Sequence, residues 1–292
     1  MKQLATRQLT LRCAAVIFCA LAAFSKAYAV TEYHPSVSAG LVKIQGRQVW
    51  EQDSHERLPQ ASLTKIMTAL LILEKYQPEA VVTVSPDAAA AHPTKIGLRA
   101  GDRMRLSDLL AATLIHSAND ACHALADWHS GSEEKFVEKM NERAQQLGLH
   151  DTHFANACGF DAEGHYSSAH DIAELAELAM QNRTFSRLVN RPQMTIRTID
   201  GKRKFIFRST NALLGKYDGA MGVKTGFTFK AGPCLVAMSQ RNDVRVMIVM
   251  LNARNRWPNA QQMFDLAFQQ SSKLRQQRVA AVRNAAPEST SL

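Results

Sequence analysis

Beyond its first thirty residues this chain has no apolar run long enough to cross a bilayer. It lacks any dense basic run interleaved with aromatics, so no nucleic-acid partner is expected. H-E-x-x-H is missing, and among the ten histidines His150-x-x-His153 falls in a loop. No metal and no cofactor is therefore expected, which argues against a zinc dipeptidase. No internal repeat or linker divides the chain. Cysteine is scarce as well: Cys13 and Cys19 precede residue 30, leaving Cys122, Cys158 and Cys234. In an oxidising compartment an odd number permits at most one internal disulfide. The expectation here is three free thiols packed as small hydrophobes.

What is present begins with a leader. Lys2, Arg7 and Arg12 precede an apolar run from Cys13 to Phe24, and Ala27-Tyr28-Ala29 is a small-x-small cleavage site. Residues 1–29 read as a secretory signal peptide, which implies a periplasmic protein starting near Val30. No lipid-attachment cysteine follows the run. The formal charge of +9 includes Lys2, Arg7, Arg12 and Lys26 and no acid from that segment, so +5 remains after cleavage. A surplus of that size suits an anionic cell envelope without pointing to a partner.

With 292 residues, 46% hydrophobic and 21% charged, the rest is ordinary globular sequence. Residues 30–270 are expected to form one domain, and 271–292 a basic, partly disordered tail. Short alternating stretches at 41–44 and 48–50 flank a turn at Gly46 and predict a hairpin. Residues 81–84 predict a further strand. Helical periodicity covers 62–77, 107–127, 133–147 and 169–181. After Asn190 strands return at 194–199, 204–207, 223–229, 235–239 and 244–251, then a helix from Pro258. Strands at both ends with helices between predict an α+β fold, an antiparallel sheet beside a helix-rich lobe.

Three short motifs carry the chemistry. In Pro59-Gln-Ala-Ser-Leu-Thr-Lys65, Ser62 and Lys65 stand three apart at a helix start and share one face. The helix N-terminus favours an oxyanion there, and a hydroxyl beside a lysine able to lose its proton is a nucleophile with its own base. Ser117-Ala-Asn119 interrupts an apolar helical stretch. Lys224-Thr-Gly226 is the only K-T-G in the chain. Each has a plainer reading when taken singly: a helix cap for Ser117 and Asn119, a simple turn for Lys224–Gly226. Decoys exist too, in Ser132-x-x-Lys135, read as a capped helix start, and in Ser209-Thr-Asn211.

In this order and spacing the triple resembles the low-molecular-mass penicillin-binding proteins, the serine D-alanyl-D-alanine carboxypeptidases of the β-lactamase/transpeptidase-like fold. Residues 58–69, 117–122, 159–164, 209–214 and 222–228 also look like family signatures. The resemblance implies acyl transfer to Ser62 and then to water, with peptidoglycan stem peptides as substrate and β-lactams as covalent inhibitors. It implies Lys65 as base, its charge disfavoured by burial and by Lys224. Ser117 would pass a proton to the leaving amine, and Asn119 would hold Lys65 and meet the substrate peptide. Lys224 and Thr225 would bind the substrate carboxylate, helped by Arg256 or by its neighbour Arg254, either of which can also be read as a surface cation. Gly226 would let the substrate pair with the strand, and the N–H groups of Ser62 and Phe227 would form the oxyanion hole.

Ala118 stands where the family more usually has glycine. Many members add a C-terminal β-rich domain and an amphipathic anchor; residues 273–283 lack the bulky apolar face of such a helix, so no stable membrane anchor is expected. A class A β-lactamase would need E-x-x-L-N between Asn119 and Lys224, and none occurs. A D,D-endopeptidase using the same site and an inactive wall-binding protein remain as alternatives.

Overall fold

The computed structural model describes residues 35–285. The expected signal peptide and the last residues of the tail lie outside them. The chain opens with β1 (Ala39–Ile44) and β2 (Arg47–Gln52) and passes through a 3-10 turn (Ala61–Thr64) into α1 (Lys65–Glu74). Then come β3 (Val81–Thr83), α2 (Pro86–Ala90), β4 (Arg103–Arg105) and α3 (Leu106–Ala111). A π-helical turn (Ala112–His116) leads to α4 (Asn119–Ser130), α5 (Glu133–Gln146), α6 (Ala169–Gln181) and α7 (Arg183–Val189). The remainder is β5 (Gln193–Arg197), β6 (Lys204–Arg208), β7 (Ala220–Thr228), β8 (Gly232–Arg241), β9 (Val244–Leu251) and α8 (Arg256–Ala285).

The two ends of the chain build one five-stranded antiparallel sheet in the order β2-β1-β9-β8-β7. Side chains alternate across a pleat, and here both faces are buried, in different company. Leu41, Val236, Met247, Val249 and Leu251 join the large core under α1 and the helical lobe. Their neighbours Val42, Ile44, Leu235, Ala237, Val246, Ile248 and Met250 face the other way, onto Ala260, Met263, Phe264, Ala267 and Phe268 of α8. This explains why 244–251 reads as nearly continuous apolar sequence. The α+β architecture expected from the sequence is the one observed.

Helix starts obey local chemistry. Ser132 Oγ accepts from Lys135 N, with Glu133 and Glu134 in the first turn, so that S-x-x-K is a helix cap. Ser168 caps α6 and Asn182 caps α7 in the same way. The predicted helix over 107–127 is broken in two by the π-helical turn and by Ser117, whose φ is +64°. Three short elements, α2, β4 and α7, had no expectation. Helix α8 runs without a break through position 271, where the tail was expected to start. Among the described residues no helix is long and apolar enough to cross a membrane.

One expectation is overturned. Cys122 and Cys158 are joined in a disulfide with Cα atoms 6.0 Å apart, and among the described residues only Cys234 is free, and it is buried. Cys122 lies on α4. The segment carrying Cys158 is brought to it by Thr68 Oγ1, which donates to the Ala157 carbonyl, and by Ala157 N, which donates to Glu133 Oε1. The bridge spans 36 residues, and nothing periodic in the sequence signals it.

Candidate active site

Ser62 sits in the 3-10 turn rather than in the α-helix proper, and Lys65 is the first residue of α1. Three residues per turn stack i directly over i+3, which sets Lys65 Nζ 3.0 Å from Ser62 Oγ. Lys65 is fully buried. Its other two partners are Asn119 Oδ1 at 2.7 Å and the Cys158 carbonyl, and neither can donate. Burial, and then the positive charge of Lys224, hold the Lys65 amine well below its ordinary pKa. A neutral amine has two N–H groups for the two carbonyls, which leaves its lone pair facing the Ser62 hydroxyl.

Buried groups lock the turn from below and from one side. His165 Nδ1 accepts from Ala155 N at 3.0 Å, so the ring proton rides on Nε2, 2.8 Å from Thr64 Oγ1. Thr64 Oγ1 donates onward to the Ala61 carbonyl. Burial lowers the His165 pKa to about 4, so the ring is neutral near pH 7. Gly159, at φ +88°, presses against the same turn: a Cβ there would lie 2.0 Å from the Ala61 carbonyl oxygen. Gly226 does so from the strand side, with Ala61 Cβ and Gln60 O 3.0 Å from its would-be Cβ. The sequence assigned Gly226 to substrate approach. Close packing against the Ser62 turn is a second reason for glycine at that position.

The Ser117 hydroxyl does not cap α4, which starts without a side-chain cap. It accepts from Lys224 Nζ at 2.8 Å. Lys224 is buried, and burial followed by the charge of Arg256 lowers its pKa to about 7. Asn119 turns its oxygen to Lys65 and spends an N–H on the His92 carbonyl at 3.1 Å. Next to it the buried Asp120 accepts from the backbone N–H groups of Ile96, Gly97 and Leu98, which ties the 94–98 loop to the start of α4.

Lys224, Thr225, Gly226 and Phe227 all lie on β7, the edge strand of the sheet. Phe227 is 58% exposed. Of the two candidate arginines, Arg256 is the one that reaches the K-T-G strand. Its Nη1 donates to the carbonyls of Gly226 (2.7 Å) and Cys234 (3.1 Å), whereas Arg254 is exposed. Thr210 was missed: its Oγ1 lies 2.6 Å from Thr225 Oγ1. It belongs to Ser209-Thr-Asn211, a decoy as an S-x-N motif but a neighbour of the K-T-G strand. The Cys158 carbonyl was missed too, since a backbone atom leaves no mark on the sequence.

The three motifs therefore converge on one site, with two serine–lysine pairs beside a strand edge open for pairing. Residues 29–255 match the profile of the family described as D-alanyl-D-alanine carboxypeptidase. D-alanyl-D-alanine carboxypeptidase DacF of Bacillus subtilis is 38% identical over 246 residues, 81% of this chain and 63% of that protein. DacD of Escherichia coli is 35% identical over 69% of this chain and 54% of its own length. The chain thus spans little more than half the length of these curated relatives. The crystal structure of a Streptomyces DD-transpeptidase superposes with a TM-score of 0.77 at 30% identity, covering 82% of this chain and 99% of the other.

Proposed function

This chain belongs to the D-alanyl-D-alanine carboxypeptidase family, and from that membership we propose a periplasmic serine D,D-carboxypeptidase, exported by its signal peptide. Its substrates are peptidoglycan stem peptides, from which it removes the terminal D-alanine through an acyl-enzyme on Ser62; penicillin acylates the same serine. The observation that carries this reading is the fully buried Lys65 amine, 3.0 Å from Ser62 Oγ and otherwise surrounded by acceptors.

The substrate lies along the free edge of β7 as an added strand. Its terminal carboxylate meets Lys224 and Thr225, with Arg256 behind the strand. Ser62 Oγ attacks the carbonyl of the penultimate D-alanine while its proton passes to Lys65 Nζ. The oxyanion forms against the N–H groups of Ser62 and Phe227, each such donor being worth about 2.7–4 kcal/mol in the transition state. As the C–N bond breaks, the Ser117 hydroxyl gives its proton to the departing amine and is resupplied through Lys224 and Lys65. Water then attacks the ester, gives its proton to Lys65, and Ser62 leaves as a restored alcohol.

Incubation of the protein with purified muropeptides, followed by mass spectrometry, tests the proposal. Loss of one alanine residue by the wild type, and by no Ser62→Ala sample, is the expected result. Fluorescent penicillin must likewise label the wild type and not Ser62→Ala. Splitting of cross-linked dimers without alanine loss would replace the reading with endopeptidase action, and labelling of Ser62→Ala would move the nucleophile elsewhere.

A further inference from the structure

The two acceptors that orient Lys65 do not lie on one rigid element. Asn119 is the first residue of α4, and Cys158 sits in the loop between α5 and α6. The disulfide joins these two segments beside the acceptors. Cys122 is one turn along α4 from Asn119, and its partner Cys158 supplies the second acceptor from its own carbonyl. Cys158 Sγ also packs 3.9 Å from the Asn119 carbonyl.

We infer that the Cys122–Cys158 disulfide is a positioning element for the base: it fixes the separation of the Asn119 and Cys158 carbonyls so that the Lys65 lone pair points at Ser62. The inference rests on the reading of Lys65 as base. A neutral amine with both N–H groups on fixed carbonyls has one orientation left. With the bridge open, the 157–159 segment keeps its bonds to Thr68, Glu133 and Asn156, but nothing covalent holds it to α4, so the Asn119 and Cys158 carbonyls can move apart and admit water. The amine then loses both its aim and part of its dry surroundings. The ionisable groups facing it stay as they are: Lys224 on β7, and His165, neutral beneath the turn. Glu133 is held by His123 on the far side of the same loop. The bridge therefore makes the reactivity of Ser62 depend on an oxidising compartment.

The test measures the second-order rate constant of Ser62 acylation by fluorescent penicillin across pH. It uses the oxidised full-length protein and the Cys122→Ala/Cys158→Ala variant. The variant is expected to acylate between about ten- and a hundredfold more slowly. Its acid limb is expected at higher pH, because loss of burial removes the main cause that keeps Lys65 neutral. Folded wild type treated with a dithiol, which converts the bridge to two thiols and itself becomes a cyclic disulfide, should show the same change and recover on reoxidation. It also stands in for the double variant should that fail to fold. Phe264→Leu, in the core behind the sheet, lowers stability without touching the bridge and should leave the limb in place.

An unchanged limb with a rate within twofold of wild type, whatever the melting temperature, overturns the inference. If the oxidised wild type is not labelled at all, the carboxypeptidase reading fails, and the inference built on Lys65 as base is overturned with it.

Discussion

Lys224 Nζ stands 2.8 Å from Ser117 Oγ, across 107 residues of sequence, and both groups are buried. Lys224 thereby ties the lobe to the edge strand while keeping a pKa of about 7. Burial is the larger cause of that depression and the Arg256 charge the second. On the proposed reading, deprotonation above neutrality removes the positive charge that meets the substrate carboxylate. We expect kcat/KM for a D-Ala-D-Ala peptide to fall along an alkaline limb near pH 7. Arg256→Gln takes away a like charge and should move that limb to higher pH. A limb that stays put in Arg256→Gln would refute the assignment.

Gly159→Ala should damage the nucleophile turn without touching a reacting group. The added methyl would sit 2.0 Å from the Ala61 carbonyl oxygen, at a φ of +88° that disfavours any side chain. A loss of about 3 kcal/mol in stability is expected, with penicillin labelling reduced in whatever remains folded. Denaturant titration beside labelling yields both numbers, and a wild-type midpoint would show that the loop has room to retreat.

Two histidines should titrate in opposite directions. His123, between Glu133 (3.2 Å) and Asp127 (3.3 Å), has its pKa raised to about 9, first by the hydrogen bond to Glu133. His165 is lowered to about 4 by burial. Imidazole NMR should find His123 protonated at pH 8 and His165 neutral at pH 5. For His165 the unfolded chain takes up the proton first. Its contribution to stability is therefore complete above about pH 6.5 and declines as pH falls towards 4, by about 3 kcal/mol in all. His123 has the reverse sign: its stabilisation is whole below its unfolded pKa and is lost as pH rises through 9.

Thr210→Val removes a hydroxyl 2.6 Å from Thr225 Oγ1 at almost constant volume. One hydrogen bond is worth about 1 kcal/mol, so kcat/KM should drop roughly fivefold. The loss should fall on KM if Thr225 does no more than hold the carboxylate. Equal kinetics in the two proteins would show that Thr225 is oriented by other means.

Much of this molecule is written in side-chain pattern. The hairpin around Gly46 follows from alternation and the strand at 244–251 from its apolar run, and Ser62, Lys65, Ser117, Asn119 and Lys224 declare themselves by type and spacing. What escaped is whatever depends on backbone atoms or on chance meetings in space. The Cys158 carbonyl has no residue signature, since any amino acid supplies one. The pairing of Cys122 with Cys158 follows from how a loop packs on α1 and α4. Nothing in Ser209-Thr-Asn211 shows that the Thr210 hydroxyl meets Thr225, and a 3-10 turn before α1 looks in sequence like the helix it leads into. The short elements α2, β4 and α7 hold too few residues for a period to emerge.

The division of the sheet into two separate cores has a practical side. Helix α8 covers the face turned away from the Ser62 turn, and the strands form a wall between them. Cross-linking chemistry aimed at solvent-facing positions of α8, such as Gln261 or Gln262, would fasten the protein to a bead or sensor chip with its mouth outward. The reagent would never approach the serines it is meant to spare.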